Sequence, residues 1–180
     1  MNGDASLNPA ATCHAHDAFT ASAGVAVIAA LTLAGAWFFQ LVLGLVPCPL
    51  CLEQRYAYYA AIPLALLTLL AAQRRVPRSW LGLGLAILAL VSLGNAGLGA
   101  YHAGVEWGFW QGPTGCSGPL LDLGTGSLLD SIKTAKVIRC DEVQWRFLGV
   151  SLAGYNVLIS LAMAAVAIWG TVRTFRSGRS

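Results

Sequence analysis

The residues best suited to chemistry in this 180-residue chain are its cysteines. Cys48-Pro49-Leu50-Cys51 is a dithiol motif; Cys116 and Cys140 have 23 residues between them; Cys13 lies alone near the N-terminus, in Cys13-His14-Ala15-His16. A CxxC motif serves metal binding, a structural disulfide or thiol exchange. A tetrahedral metal site needs convergent ligands, and the wide spacing of Cys116 and Cys140 is unlike a zinc knuckle. No resident metal is expected. Exchange suits the pattern better: the short CxxC brings two sulfurs together, and Gly112-Pro113-Thr114-Gly115-Cys116-Ser117-Gly118-Pro119 should be an extended segment that can present Cys116 to a partner.

Pro47 and Pro49 disfavour an uninterrupted helix and shape a turn around Cys48, so that a helix begins near Cys51. Free backbone N–H groups at a helix start stabilise a thiolate, and Cys51 lies deeper in that start than Cys48. Arg55, four residues on, shares the Cys51 face and can support a thiolate or bind the oxygen of an electron acceptor. These features suggest a relay from an external dithiol, through Cys116 and Cys140, to Cys48 and Cys51, and on to a small acceptor in the membrane such as a quinone. A non-enzymatic scaffold whose external loop is locked by permanent disulfides is the alternative at this point.

The elements that hold these residues are membrane helices. Hydrophobic residues make up 57% of the chain and charged ones only 11%, against roughly 25% charged in a soluble domain. No Asp, Glu, Lys or Arg occurs from Ala18 to Leu52, Tyr56 to Gln73, Ser79 to Val105 or Phe147 to Val172. Each gap accommodates the roughly 17 to 25 residues that cross a bilayer as a helix, and unbroken apolar runs exclude alternating barrel strands. The fold class expected is all-α: a polytopic four-transmembrane-helix bundle with a short CxxC loop and a long external loop containing a short amphipathic helix.

Helix 1 is expected within Ala18 to Val46, helix 2 from near Cys51 to Ala72 with Pro63 inside it, helix 3 over most of Trp80 to Gly99, and helix 4 over most of Leu148 to Gly170. Asn95 in helix 3 should bond between helices or to local backbone. An external loop, Tyr101 to Arg146, joins helices 3 and 4, and its stretch from Ser127 to Ile138 has the apolar stripe of an amphipathic surface helix. Residues 1–17 then form an N-terminal tail, 18–170 the membrane redox domain with external loop 101–146, and 171–180 a basic tail.

Six of the eleven basic residues, Arg74, Arg75, Arg78, Arg173, Arg176 and Arg179, fall on the side of the membrane that carries the termini. The positive-inside rule places that side in the cytoplasm and both cysteine-bearing loops outside. The first 17 residues contain no Lys or Arg and do not read as a cleaved signal peptide. No nucleic-acid partner is expected.

The segments Pro47-Cys48-Pro49-Leu50-Cys51-Leu52-Glu53-Gln54-Arg55, Tyr101-His102-Ala103-Gly104-Val105-Glu106-Trp107, Pro113-Thr114-Gly115-Cys116 and Cys140-Asp141-Glu142-Val143-Gln144-Trp145-Arg146-Phe147 together resemble the disulfide bond formation protein B family, the quinone-linked oxidases of bacterial inner membranes. The resemblance covers about Ala18 to Gly170. It implies a protein-disulfide oxidoreductase that reoxidises a periplasmic thioredoxin-fold dithiol oxidase, of the disulfide bond formation protein A type, and reduces ubiquinone or menaquinone. By motif position it implies that Cys116 forms the mixed disulfide with the partner, that released Cys140 attacks Cys48, and that Cys51 faces the quinone with support from Arg55. His102 matches a region near the quinone, the alternative being an interface histidine bonded to backbone. Glu106 and Trp107 are expected to be architectural, and Gln54 stands where some relatives carry an acid, with no proton transfer assigned to it. A vitamin K epoxide reductase-like arrangement is the rival on another fold. Cys13 belongs to neither pair and, on the cytoplasmic side, reads as an ordinary free thiol.

Overall fold

A computed structural model describes residues 9–113 and 139–176, with side chains from His14 onward. It contains α1 (Pro9–Leu41), α2 (Pro49–Gln73), α3 (Arg78–Glu106), a two-stranded hairpin of β1 (Arg146–Phe147) and β2 (Val150–Ser151), and α4 (Leu152–Arg176). Among the described residues, four helices are long and apolar enough to cross a membrane: His14–Leu41, Pro49–Gln73, Arg78–Glu106 and Leu152–Arg176. The four-span bundle expected from the charge gaps is therefore the observed fold. The amphipathic helix expected at 127–138, and Cys116, lie outside the described residues.

Successive helices pack side by side and α4 closes the ring against α1, with the broadest contact between α3 and α4. Leu81, Leu85 and Leu88 of α3 meet Val25 and Ala29 of α1, Ala61 and Ala65 of α2, and Met163 of α4 in one buried cluster. Small residues let the backbones approach. Gly99 shows why: a Cβ there would come within 2.8 Å of Asn156 Nδ2 on α4. Large apolar side chains such as Leu31, Leu67, Trp80 and Leu90 point outward, 64–68% exposed, as a lipid-facing surface requires.

A buried polar knot crosses the middle of this apolar interior. Tyr58 Oη donates to Asn156 Oδ1 (2.5 Å) and lies 3.2 Å from Ser160 Oγ, while Asn95 Nδ2 donates to Ser160 Oγ (3.0 Å) and Asn156 Oδ1 (3.3 Å). Three helices are thus linked where lipid offers no alternative partner, and Asn95 bonds between helices.

The helix ends differ from the sequence expectation. Helix α1 starts at Pro9, before the expected Ala18, and stops at Leu41, inside the expected limit of Val46. Gly44, at φ 68°, then turns the chain toward Cys48. Helix α3 runs on past Gly99 to Glu106, so His102 and Glu106 sit on its last turns instead of in the external loop. It ends at Trp107 with Gly108 at φ 73°, where Gly108 N–H reaches Val105 O (3.1 Å) and Phe109 N–H reaches Gly104 O (2.9 Å), a Schellman stop. Helix α4 starts at Leu152, inside the expected span, because Arg146 to Ser151 form a hairpin, and it runs past the expected Gly170 to Arg176. Its turn residues Leu148 (φ 48°) and Gly149 (φ 81°) both take the left-handed conformation that a two-residue hairpin favours.

Candidate redox site at one end of the bundle

The C-terminal ends of α1 and α3 and the N-terminal ends of α2 and α4 meet at one end of the bundle. Cys48 caps α2 there: its backbone is extended, its Sγ accepts from the Cys51 N–H at 3.2 Å, and Pro49 takes the first helical position, where no N–H is needed. The CxxC turn is thus a helix start that uses the first cysteine sulfur as its cap. The Cys48 thiol donates to Cys51 Sγ at 2.8 Å, and both residues are free cysteines. That donation, followed by burial, raises the Cys48 thiol above its ordinary range. Cys48 is 2% exposed, whereas Cys51 is half-buried and lines a cavity.

His102 closes the other side of Cys48. Its Nε2 lies 3.6 Å from Cys48 Sγ and its Nδ1 lies 2.8 Å from Gln54 Nε2. The ring is 3% exposed and also bonds the backbone of Cys140. His102 lines the cavity and bonds backbone at once, and it does so from the interior of the bundle. Sγ of Cys48, Sγ of Cys51 and a His102 ring nitrogen fall within 4.8 Å of one another. That closeness gives three soft donors in one place, and it equally gives a thiol pair with an adjacent acid–base group.

Cys140 belongs to the same buried cluster as Cys48, Leu50 and Val105, and it is disulfide-bonded. It is held there by its neighbours. Arg139 grips Asp141 through two bonds, at 2.6 and 2.9 Å, which holds the Asp141 carboxyl below its usual range. Gln144 Nε2 donates to Val46 O (2.8 Å), and the Trp145 ring packs 4.9 Å from Phe39. The first contact fastens the segment after Cys140 onto the α1–α2 connection that leads to Cys48, and the second fastens it onto the last turns of α1. Sequence spacing gave no sign of either.

Arg55 reaches from α2 to α1. Its guanidinium donates to Gln40 Oε1 (2.6 Å) and Ala36 O (3.3 Å) and lies 5.6 Å from the centre of the Trp37 ring. Trp37 is in turn fixed by an indole N–H bond to Tyr59 Oη, 3.1 Å. Arg55 and Cys51 line the same cavity of about 510 Å³, whose walls include Leu31, Phe39 and Ile159 and whose polar end holds His102. An apolar cavity of this size with a few convergent polar groups has the form of a small-molecule pocket. A flat, uncharged ring with an apolar tail fits it: the walls suit the tail, and the guanidinium of Arg55 suits a ring oxygen.

The comparisons with known proteins agree with this geometry. The family described as disulfide bond formation protein DsbB matches residues 19–170. The chain belongs to the DsbB family. It is 30% identical over 159 residues to disulfide bond formation protein B of Nitrosococcus oceani, covering 82% of this chain and 87% of that protein. It is 34% identical over 156 residues to the protein of the same name from Verminephrobacter eiseniae, covering 82% of each, and 31% identical over 158 residues to that of Xanthomonas euvesicatoria, covering 82% and 85%. No solved structure is a significant match. As a DsbB-family protein with a paired CxxC and four membrane helices, the chain is a multi-pass inner-membrane redox enzyme, a quinone-linked thiol oxidase.

Of the residues singled out in the sequence, Cys48, Cys51, Arg55, His102 and Cys140 converge on this end of the DsbB-type bundle. Two residues gained more than the sequence suggested. Gln54 holds the His102 ring, and Glu106, expected to be architectural, sits one turn beyond His102 with its carboxylate 4.0 Å from Nε2. The signal was available in the spacing: Asn95, Gly99, His102 and Glu106 fall on one helix face.

Proposed function

We propose that this chain reoxidises a periplasmic thioredoxin-fold dithiol oxidase of the disulfide bond formation protein A type, passing electrons from Cys116/Cys140 through Cys48/Cys51 to ubiquinone or menaquinone. The observation that carries this reading is the burial of Cys140 and Cys48 in one cluster, with Cys51 opening onto the apolar cavity. Cys140 of the protein-facing pair and both cysteines of the membrane-facing pair then share a single junction.

In this mechanism a partner thiolate attacks Cys116 and releases Cys140 as the leaving thiolate. Cys140 attacks Cys48 of the oxidised Cys48–Cys51 pair, which forms a Cys140–Cys48 disulfide and frees Cys51. The second partner thiol attacks the mixed disulfide at the partner's own sulfur; the partner leaves oxidised, and Cys116 returns to Cys140 to restore their bond. Cys48 and Cys51 are left as the reduced pair. Each exchange conserves one disulfide, so two electrons arrive at Cys48/Cys51 for each partner oxidised. A bound quinone supplies the two-electron acceptor. Arg55 would hold its ring oxygen, Leu31 and Ile159 would exclude water, and Cys51, the more open sulfur, would be the thiol that serves it. The cysteine loops lie outside the cell membrane and the basic ends, Arg74 to Arg78 and Arg173 to Arg176, inside, with residues 1–17 and 171–180 on the cytoplasmic side.

Trapping tests the protein-facing half. A Cys140→Ser variant leaves Cys116 without its resolving thiol, so a mixed disulfide with the partner should accumulate in cells and be identified by mass spectrometry as a thioredoxin-fold protein joined at Cys116. Equal trapping in a Cys116→Ser/Cys140→Ser double variant would contradict the assignment.

A further inference from the structure

Glu106 is a buried carboxylate to which the thiol relay gives no task. Its side chain is 6% exposed, Oε1 lies 4.0 Å from His102 Nε2, and Oε2 is buried with no hydrogen-bond partner among the described residues. It lines the cavity that Cys51 and Arg55 share. An unpartnered carboxylate oxygen in such a place costs desolvation energy with no bond in return. The charged and titratable groups that face it are His102 on its own helix, Cys51 on α2 and Arg146 on β1, with the Ser151 hydroxyl of β2 beside it. Arg55, Arg139 and Glu142 line the same cavity.

His102 stands between this carboxylate and Cys48, and one nitrogen faces both: Nε2 is 3.6 Å from Cys48 Sγ and 4.0 Å from Glu106 Oε1. Gln54 lets that nitrogen change role. Its amide N–H donating to Nδ1 leaves the ring proton on Nε2, whereas a half-turn of the amide puts its oxygen on an Nδ1–H and leaves Nε2 as an acceptor. A carboxylate at position 54 could accept only.

We propose that Glu106 is the proton store of the redox site, loaded from the Cys48 thiol through His102 Nε2 and emptied into the cavity as the quinone is reduced. The proposal rests on the thiol:quinone reading above. Oxidation of the pair breaks two S–H bonds and forms one S–S bond; two electrons pass to the quinone and two protons follow to its oxygens. The Cys48 proton moves to Nε2 and then to the Glu106 carboxylate before delivery, and the Cys51 proton goes directly into the cavity. The net change is dithiol plus quinone to disulfide plus quinol, with Glu106 returned to its carboxylate form.

The test is infrared difference spectroscopy of the purified protein during electrochemical oxidation of Cys48/Cys51 without quinone, where the store loads and cannot empty. The expected result is a carbonyl band of a protonated carboxyl that appears on oxidation, is absent in E106Q and returns shifted in E106D. With quinone and reduced partner present, E106Q should lower kcat about a hundredfold, within the usual span of general acid–base catalysis, leave the KM for the partner unchanged, and be partly rescued by E106D. A band that persists in E106Q, no such band in the wild type, or wild-type kcat in E106Q would overturn the proposal. If the wild type gives the band but never reduces quinone, the thiol:quinone reading fails and the proton store stands. If E106Q does not fold, a wild-type band left unshifted in E106D overturns the proposal, and a shifted one supports it.

Discussion

Cys48 Sγ lies between Cys51 Sγ, 2.8 Å away, and His102 Nε2, 3.6 Å away, so the first cysteine of the motif is enclosed by its partner thiol and an imidazole. The two sulfurs of the CxxC turn are therefore unequal before any reaction begins. One is a buried helix cap, and the other opens onto the cavity.

That inequality sets an order of reactivity. The Cys48 thiol is raised by donation to Cys51 and by burial, so it stays protonated well above neutral pH. Limited labelling of the reduced protein with iodoacetamide near neutral pH should modify Cys51 first, with Cys48 lagging by tenfold or more. Peptide mass spectrometry reads the ratio; preferential labelling of Cys48 would contradict the geometry.

The grip of Gln54 on His102 is a buried bond of 2.8 Å. Gln54→Leu removes the amide and leaves Nδ1 without that partner, at a cost of about 1–3 kcal/mol. Thermal unfolding in detergent should show the loss, and the variant should also slow Cys48–Cys51 turnover because the ring loses its orientation. An unchanged midpoint would mean that another group holds the ring.

Arg55 should divide binding from thiol exchange. Arg55→Met loses the Gln40 and Ala36 bonds and the charge beside the cavity. The KM for quinone should rise roughly 10- to 100-fold, the loss of one charge-assisted bond of about 1.5–3 kcal/mol, while mixed-disulfide formation with the partner stays near wild type. A fall in mixed-disulfide formation with unchanged quinone KM would reverse the assignment.

The knot of Tyr58, Asn95, Asn156 and Ser160 should be worth little per bond, because polar contacts between membrane helices average about 0.6 kcal/mol. Tyr58→Phe should therefore lower stability by about 0.5–2 kcal/mol in a reversible detergent unfolding experiment and leave the four-helix fold intact. Unfolding of the bundle on this change alone would show the knot to be far stronger than its parts.

The four spans were legible because charges cost so much inside a bilayer that their absence draws the helices directly, and the CxxC with Arg55 four residues on was legible because helix periodicity is regular. Helix ends were not. Cys48 caps α2 with its sulfur, Gly108 ends α3 after its carbonyls are satisfied by Gly108 and Phe109, and the Leu148–Gly149 turn delays α4. Each depends on backbone conformation at one or two residues, which hydropathy does not register. The extra turns of α3 matter most, because they carry His102 and Glu106 from an assumed loop onto a rigid element. The contacts of Gln54, Gln144 and Gln40 were hidden for a different reason: an amide side chain has no characteristic spacing, and each of these bonds joins distant parts of the chain.

The central claim is that electrons from an external dithiol leave through Cys51 to a quinone, and anaerobic stopped-flow absorbance measures it most directly. Purified protein mixed with a reduced thioredoxin-fold partner and a soluble ubiquinone analogue should form one quinol for each partner disulfide produced. The Cys51→Ser variant should form none while still exchanging with the partner at Cys116. Quinol formation at the wild-type rate in Cys51→Ser, or partner oxidation by the wild type with no quinol formed, would contradict the account.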